Sequence, residues 1–218
     1  MNRKQLERWS GIAILMFLCV SSTGCVGTLA QLMYVVKGHD IPAEYSEFEG
    51  QRVAIVVGTD SSAYGQDPLA NKIQRYVGHH LAANVDDIEL VPSMEIVNWI
   101  DVNGWGDSPS QLAELGKEVS ADLVLGINVE GYSIREGRTL YKGRSDVTLQ
   151  VVDAESGNVT YSKGPEHFEY PENGRPSIQT TDRKFETFYL AWLTKNISHQ
   201  FYNHDRLVDV ADDAAFVE

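Results

Sequence analysis

The residues best placed for chemistry are one loop, two histidine pairs and a few carboxylate doublets. Gly58-Thr-Asp-Ser-Ser-Ala-Tyr-Gly65 follows a β-branched run and precedes a helical pattern. That is where α/β folds present ligands, and where free amides can hold an anion. Asp60, Ser61, Ser62 and Tyr64 are its candidate ligand contacts. The segment lacks the glycine-lysine-serine/threonine ending of a phosphate loop and the spacing of a dinucleotide fingerprint. The plainer reading is a helix-entry loop with Asp60 or a serine as the cap.

His79 and His80 are adjacent on a helical pattern, so they point about 100° apart around the axis and make a poor two-ligand clamp. His199 and His204 lie five residues apart beside Asp205, where a helix is expected to end; no metal site is expected from either pair. The residue types of a serine hydrolase are present, but no glycine-serine-glycine elbow. Asp86-Asp87 and Asp212-Asp213 read as solvated loop acids. Asn158-Val-Thr160 and Asn196-Ile-Ser198 match the glycan acceptor pattern by chance. Trp99 and Trp105 flank a glycine-containing turn, as an exposed aromatic patch for a protein partner or, for Trp99, as core. No catalytic constellation and no cofactor are expected.

One thiol has a different chemistry. Arg3, Lys4 and Arg8 make a basic start, Gly11 to Val20 is apolar, and Ser21-Ser-Thr-Gly24 leads with small residues into Cys25. This resembles the lipobox of bacterial lipoproteins, with Ser22 where that family most often has leucine. The resemblance implies that Cys25 is alkylated with diacylglycerol, that residues 1–24 are cut off and that the new amino terminus is acylated. A retained membrane anchor is the alternative, since apolar residues resume at Leu29, Leu32, Met33, Val35 and Val36. A spanning helix needs ~20 predominantly apolar residues, however, and the run is broken at 21–24. Ordinary secretion is a third reading. All three export the domain.

Removing residues 1–24 would leave 194 of the 218 residues, the size of one domain. The removed segment has a net charge of +2, so the chain would go from −13 to −15. Such a surface is repelled by nucleic acid and by anionic headgroups. Cys19 lies in the leader and Cys25 at the lipid site, which leaves the folded part without a thiol, a disulfide or a cysteine-bound metal.

The organisation expected is a leader over 1–24, a lipidated tether and collar over 25–50, a globular α/β domain over 51–204 and an acidic tail over 205–218. Val26 to Val36 lies along the membrane or packs on the domain. Arg52 to Gly58 reads as a strand buried on both faces. Pro68 to Asn84 has an apolar stripe of Leu69, Ile73, Tyr76, Val77, Leu81 and Ala82. A short strand at 88–92 precedes a helix capped by Ser93, and Ser108-Pro-Ser-Gln111 starts another. Strands follow at 121–132 and 139–152, the second with Tyr141, Ser145, Val147, Leu149 and Val151 on one face. A hairpin turn through Gly157 leads to a strand at 159–162, and a polar loop fills 165–180. Thr181 or Asp182 caps the closing helix, whose face carries Phe185, Phe188, Tyr189, Trp192, Ile197 and Phe201. The fold class is α/β, a single mixed β-sheet flanked by helices, with an antiparallel hairpin and a C-terminal helix.

Leu115-Gly-Lys-Glu-Val-Ser-Ala-Asp-Leu-Val-Leu-Gly126 resembles the helix-to-strand step of an envelope fold group, and Leu149 to Asn158 is similar to its hairpin. The group includes the curli-secretion lipoprotein, the lipoprotein activators of penicillin-binding proteins and the amino-terminal domain of the Tol system's propeller protein. The chain also looks like a bacterial lipoprotein family with no assigned activity. The fold resemblance covers residues 50–205 and implies a module that binds other proteins or assembles into complexes; with the lipobox resemblance and the lack of a catalytic constellation, the expectation is a non-enzymatic binder or scaffold of envelope proteins, lipid-anchored and facing the periplasm or the exterior. It assigns no functional residue. The alternative is a small-ligand or hydrolytic domain using residues 58–65.

Overall fold

The computed structural model describes residues 40–60, 67–104, 106–171 and 180–205. Cys25, the segment Val26 to Val36, Ser61, Ser62, Tyr64, Trp105 and most of the acidic tail lie outside the described residues.

The elements run in the order β1 (Asp40–Ile41), β2 (Arg52–Thr59), α1 (Pro68–Asn84), β3 (Glu89–Leu90), α2 (Ser93–Asn103), α3 (Pro109–Glu118), β4 (Leu123–Glu136), β5 (Leu140–Asp153), β6 (Val159–Tyr170), α4 (Asp182–Ser198) and β7 (His204–Asp205). Five strands form one mixed sheet in the order β3-β2-β4-β5-β6. β2 pairs in parallel with β3 and β4, while β5 is antiparallel to β4 and β6.

Burial on β2 follows from what covers it. Val53, Ile55 and Val57 face a core shared with Ile73, Val77 and Leu81 of α1 and with Tyr189, Trp192 and Leu193 of α4. Ala54 and Val56 face a second, smaller core built with Ile96 of α2 and Leu112 and Leu115 of α3. A strand covered on both faces must be apolar throughout. β5 lies beyond the second helical layer along much of its length. It therefore alternates, with Tyr141, Ser145, Val147, Leu149 and Val151 buried and Lys142, Arg144, Asp146, Thr148 and Gln150 half-buried.

The helix-to-strand step depends on close approach. A Cβ on Gly116 would come 2.6 Å from Ala154 Cβ and 2.7 Å from Val124 Cγ2, so only glycine lets α3 settle on the sheet there. Ser108 caps α3 as the sequence implies, its hydroxyl accepting from the Gln111 amide. In the β5–β6 turn, Asp153 Oδ1 accepts from the Ser156 amide and hydroxyl, both at 2.7 Å, and Gly157 takes φ +74.

Three expectations are corrected, and one contact is added. β6 runs on to Tyr170 instead of ending at 162, because Gly164 and Pro165 fit into a register shift opposite Thr148. As an edge strand with a bulge, β6 tolerates a residue that cannot donate to the ladder. β4 likewise extends to Glu136 through an irregularity at Gly131 and Tyr132. Pro92 occupies the cap position of α2, without a side-chain cap bond, and Ser93 is already helical. The collar and the tail meet: Asp40–Ile41 pairs antiparallel with His204–Asp205, and Tyr45 and Phe48 are buried in the main core against Phe201.

Candidate functional site

The loop named from sequence leaves the C-terminal end of β2 and enters α1. Its last described residue before the gap, Asp60, does not cap the helix. Asp60 Oδ2 accepts from the Gly131 amide at 2.7 Å, tying the loop to the irregularity in β4. Asp67 is the cap instead: its Oδ1 accepts from the Leu69 amide at 2.8 Å, and Thr59 Oγ1 donates to its Oδ2. Pro68 follows in the first turn, where its missing N–H costs nothing. These carboxylates order the strand-to-helix connection. Of the four candidate contacts, the structure places Asp60, while Ser61, Ser62 and Tyr64 are outside the described residues.

Across the same end of the sheet, Tyr132 on β4 lies against Tyr189 of α4, ring centroids 5.6 Å apart. Tyr189 is fully buried and its hydroxyl is shared with Ser145 at 2.8 Å and with the Phe168 carbonyl at 3.4 Å. The Tyr132 hydroxyl is also buried and has no hydrogen-bond partner among the described residues. Burial pushes both phenols well above the usual tyrosine range. Lys72 of α1 and Glu186 of α4 close this end with an ion pair at 2.7 Å.

The histidines do not assemble a metal centre among the described residues, where no group of three or more His, Cys, Asp or Glu side chains is placed to hold an ion. His79 and His80 have ring centroids 6.2 Å apart; burial, then the neighbouring His79, lowers the His80 pKa from its usual value. His199 and His204 stack at 3.8 Å, packing the end of α4 on β7. On β5 and β6, His167 Nδ1 meets Asp146 at 2.8 Å, and Glu169 lies between Lys142 and Arg144, which hold its carboxyl below the usual range.

The second surface is the groove between α2 and α3. It encloses about 530 Å³ and is lined by Glu95, Asn98, Trp99, Val102, Glu114 and Glu118 among others. α2 is apolar on more than one side, yet only Ile96 is fully buried. Trp99 is half-buried against the smaller core, as both sequence readings of it allow, while Met94 is 63% and Val102 82% exposed. Spacing along the helix does not by itself distinguish Met94 and Val102 from its packed apolar residues. Ile96 is the residue of α2 that reaches the smaller core, beside Ala54 and Val56 of β2, and Met94 and Val102 stay outside it. No helix among the described residues is long and apolar enough to cross a membrane.

No family model matches the chain, and no curated protein does. Similar solved structures include the PelC dodecamer from Paraburkholderia phytofirmans, at 13% identity and a TM-score of 0.45 over 76% of this chain and 96% of that one. Lipoprotein GNA1162 from Neisseria meningitidis is similar at 13% identity and a TM-score of 0.43, over 67% of this chain and 97% of that one. The LpoB C-terminal domain from Salmonella enterica is similar at 15% identity and a TM-score of 0.37, over 62% and 88% respectively. At this degree of likeness no residue role, ligand or assembly passes from them to this chain.

Proposed function

We propose that the chain is an envelope lipoprotein, tethered to a membrane through Cys25, whose α/β domain binds or scaffolds other envelope proteins and performs no catalysis. In this reading residues 1–24 are the leader, 25–50 the tether and a collar whose Tyr45 and Phe48 pack into the domain core, 51–204 the rest of the folded domain and 205–218 the tail. The observation that carries the binding role is α2, which leaves Val102 exposed beside the half-buried Trp99 in the lining of a groove, with Met94 exposed elsewhere on the same helix. Exposed apolar side chains around an aromatic anchor are the common make-up of a protein-binding surface. At the other candidate, the 58–65 loop, Asp60 accepts from the Gly131 amide and so helps to order the strand-to-helix connection.

The test compares the wild-type protein with Cys25→Ala in cells fed a labelled fatty acid, followed by crosslinking and capture. The wild type is expected to take up label, fractionate with membranes and recover one protein reproducibly above background. The variant is expected to lose the label and the membrane association. An unmodified amino-terminal methionine on the wild-type product would remove the anchor from the proposal, and recovery of nothing above background would remove the partner.

A further inference from the structure

We infer that the α2–α3 groove docks a basic, partly apolar segment of a partner protein, with a lysine or arginine seated at Glu114 and Glu118 and an apolar side chain on Val102 and Trp99. The inference rests on the reading of the domain as a protein-binding module and names the surface and the partner's chemistry.

The charge pattern supplies the argument. Glu114 and Glu118 are four residues apart on α3, so they are neighbours on one helix face and repel each other. Glu118 is also the last residue of α3, at the negative end of the helix dipole, where an acid is disfavoured. Neither carboxylate has an ion-pair partner among the described residues, and Lys117, next to Glu118 in sequence, pairs with neither. Across the groove, Glu95 is held only loosely by Arg52, at 3.9 Å. A cation placed here relieves two costs that the free domain carries. The groove also has an indole, Trp99, in its lining, the ring type that attracts cations most strongly. Lysine and arginine stems can cover apolar surface while their heads reach carboxylates, which matches a groove that has Val102 on one wall and glutamates on the other.

The same charges argue against other occupants. A second copy would bring its own glutamates to the contact, and the chain's net charge of −13 disfavours self-association. The chain's own C-terminal tail carries Asp205, Asp209, Asp212, Asp213 and Glu218 against Arg206 alone, so it is repelled. An anionic bilayer is excluded in the same way.

The test uses the full lipidated protein in neutral detergent and three labelled peptides of one length: leucine and lysine at helical spacing, the same with glutamate for each lysine, and the same with serine for each leucine. The leucine–lysine peptide is expected to bind and the other two to bind at least tenfold more weakly. Glu114→Lys with Glu118→Lys should weaken binding tenfold or more, and Val102→Ser severalfold, with circular dichroism unchanged. Asp212→Lys with Asp213→Lys makes the same change in net charge and should leave binding unaltered. No binding, or equal loss from both charge reversals, overturns the groove. So does a dimer that Val102→Ser dissociates. Capture of the same envelope partner by wild type and by the Glu114/Glu118 variant would sink the groove and leave the binding module standing; failure of the wild type to capture any partner would sink the module itself.

Discussion

Two tyrosines in contact show how much the cost of a buried hydroxyl depends on its partner. Tyr189 has Ser145 and the Phe168 carbonyl, whereas Tyr132, with its ring against the same neighbour, has no partner for its oxygen among the described residues. An unsatisfied buried hydroxyl costs about 1–3 kcal/mol, and a satisfied one contributes about 1 kcal/mol net. Tyr132→Phe is therefore expected to stabilise the domain by about 1 kcal/mol in urea unfolding. Tyr189→Phe is expected to destabilise it by about 1–3 kcal/mol, because Ser145 is left buried without its partner. Equal destabilisation by both variants would show that Tyr132 has a hydrogen bond in solution. The residue scale is also where sequence reading was weakest. It offered Asp60 or a serine as the cap of α1, and the structure uses Asp67. Any of these side chains has the chemistry of a cap, and only the geometry of the strand end decides which one reaches the Leu69 amide.

At the scale of elements, the burial pattern was legible wherever one rule acted alone. The strict alternation of β5, the continuous apolar run of β2 and the stripe of α1 each follow from which faces are covered, and each was readable from period. Legibility failed where a long-range contact overrides a local signal. Pro165 marks a loop by itself, yet the edge position of β6 and a bulge carry the strand through it. Tyr45 and Phe48 lie in a stretch punctuated by Pro42 and Gly50, which reads as a collar. Nothing nearby in sequence shows that Phe201, over 150 residues on, supplies their other half; the Phe48 and Phe201 rings lie 4.9 Å apart. The groove was half-visible: Trp99 stands out in sequence as an aromatic patch or core, whereas nothing in the sequence singles out Glu114 and Glu118. Because Phe48 is fully buried, Phe48→Ala is expected to cost about 3–5 kcal/mol. A shift in the thermal midpoint no larger than that of a surface control would show that the segment before β2 is not part of the cooperative unit.

For the whole molecule, charge and anchor must be considered together. The described domain has no helix suited to crossing a bilayer, and the mature chain would carry a net charge of −15 after losing a leader of +2. An anionic membrane surface repels such a body, so the protein part contributes nothing favourable to attachment through charge. In the proposed reading attachment falls to acyl chains at Cys25, where each chain would contribute ~0.8 kcal/mol per buried CH₂ and one chain alone would give only marginal, reversible binding. The diacylglycerol and amino-terminal acyl group implied by the lipobox resemblance exceed that threshold without help from the protein. The unacylated mature chain is accordingly expected to stay in the supernatant when mixed with phosphatidylglycerol vesicles at physiological salt. The lipidated protein is expected to sediment with them and to resist release by high salt, since burial of hydrocarbon is not screened. Sedimentation of the unacylated chain would place a membrane-binding surface on the protein itself. In the proposed reading, a basic segment approaching the tethered domain meets attraction from its net negative charge as a whole before it reaches Glu114 and Glu118.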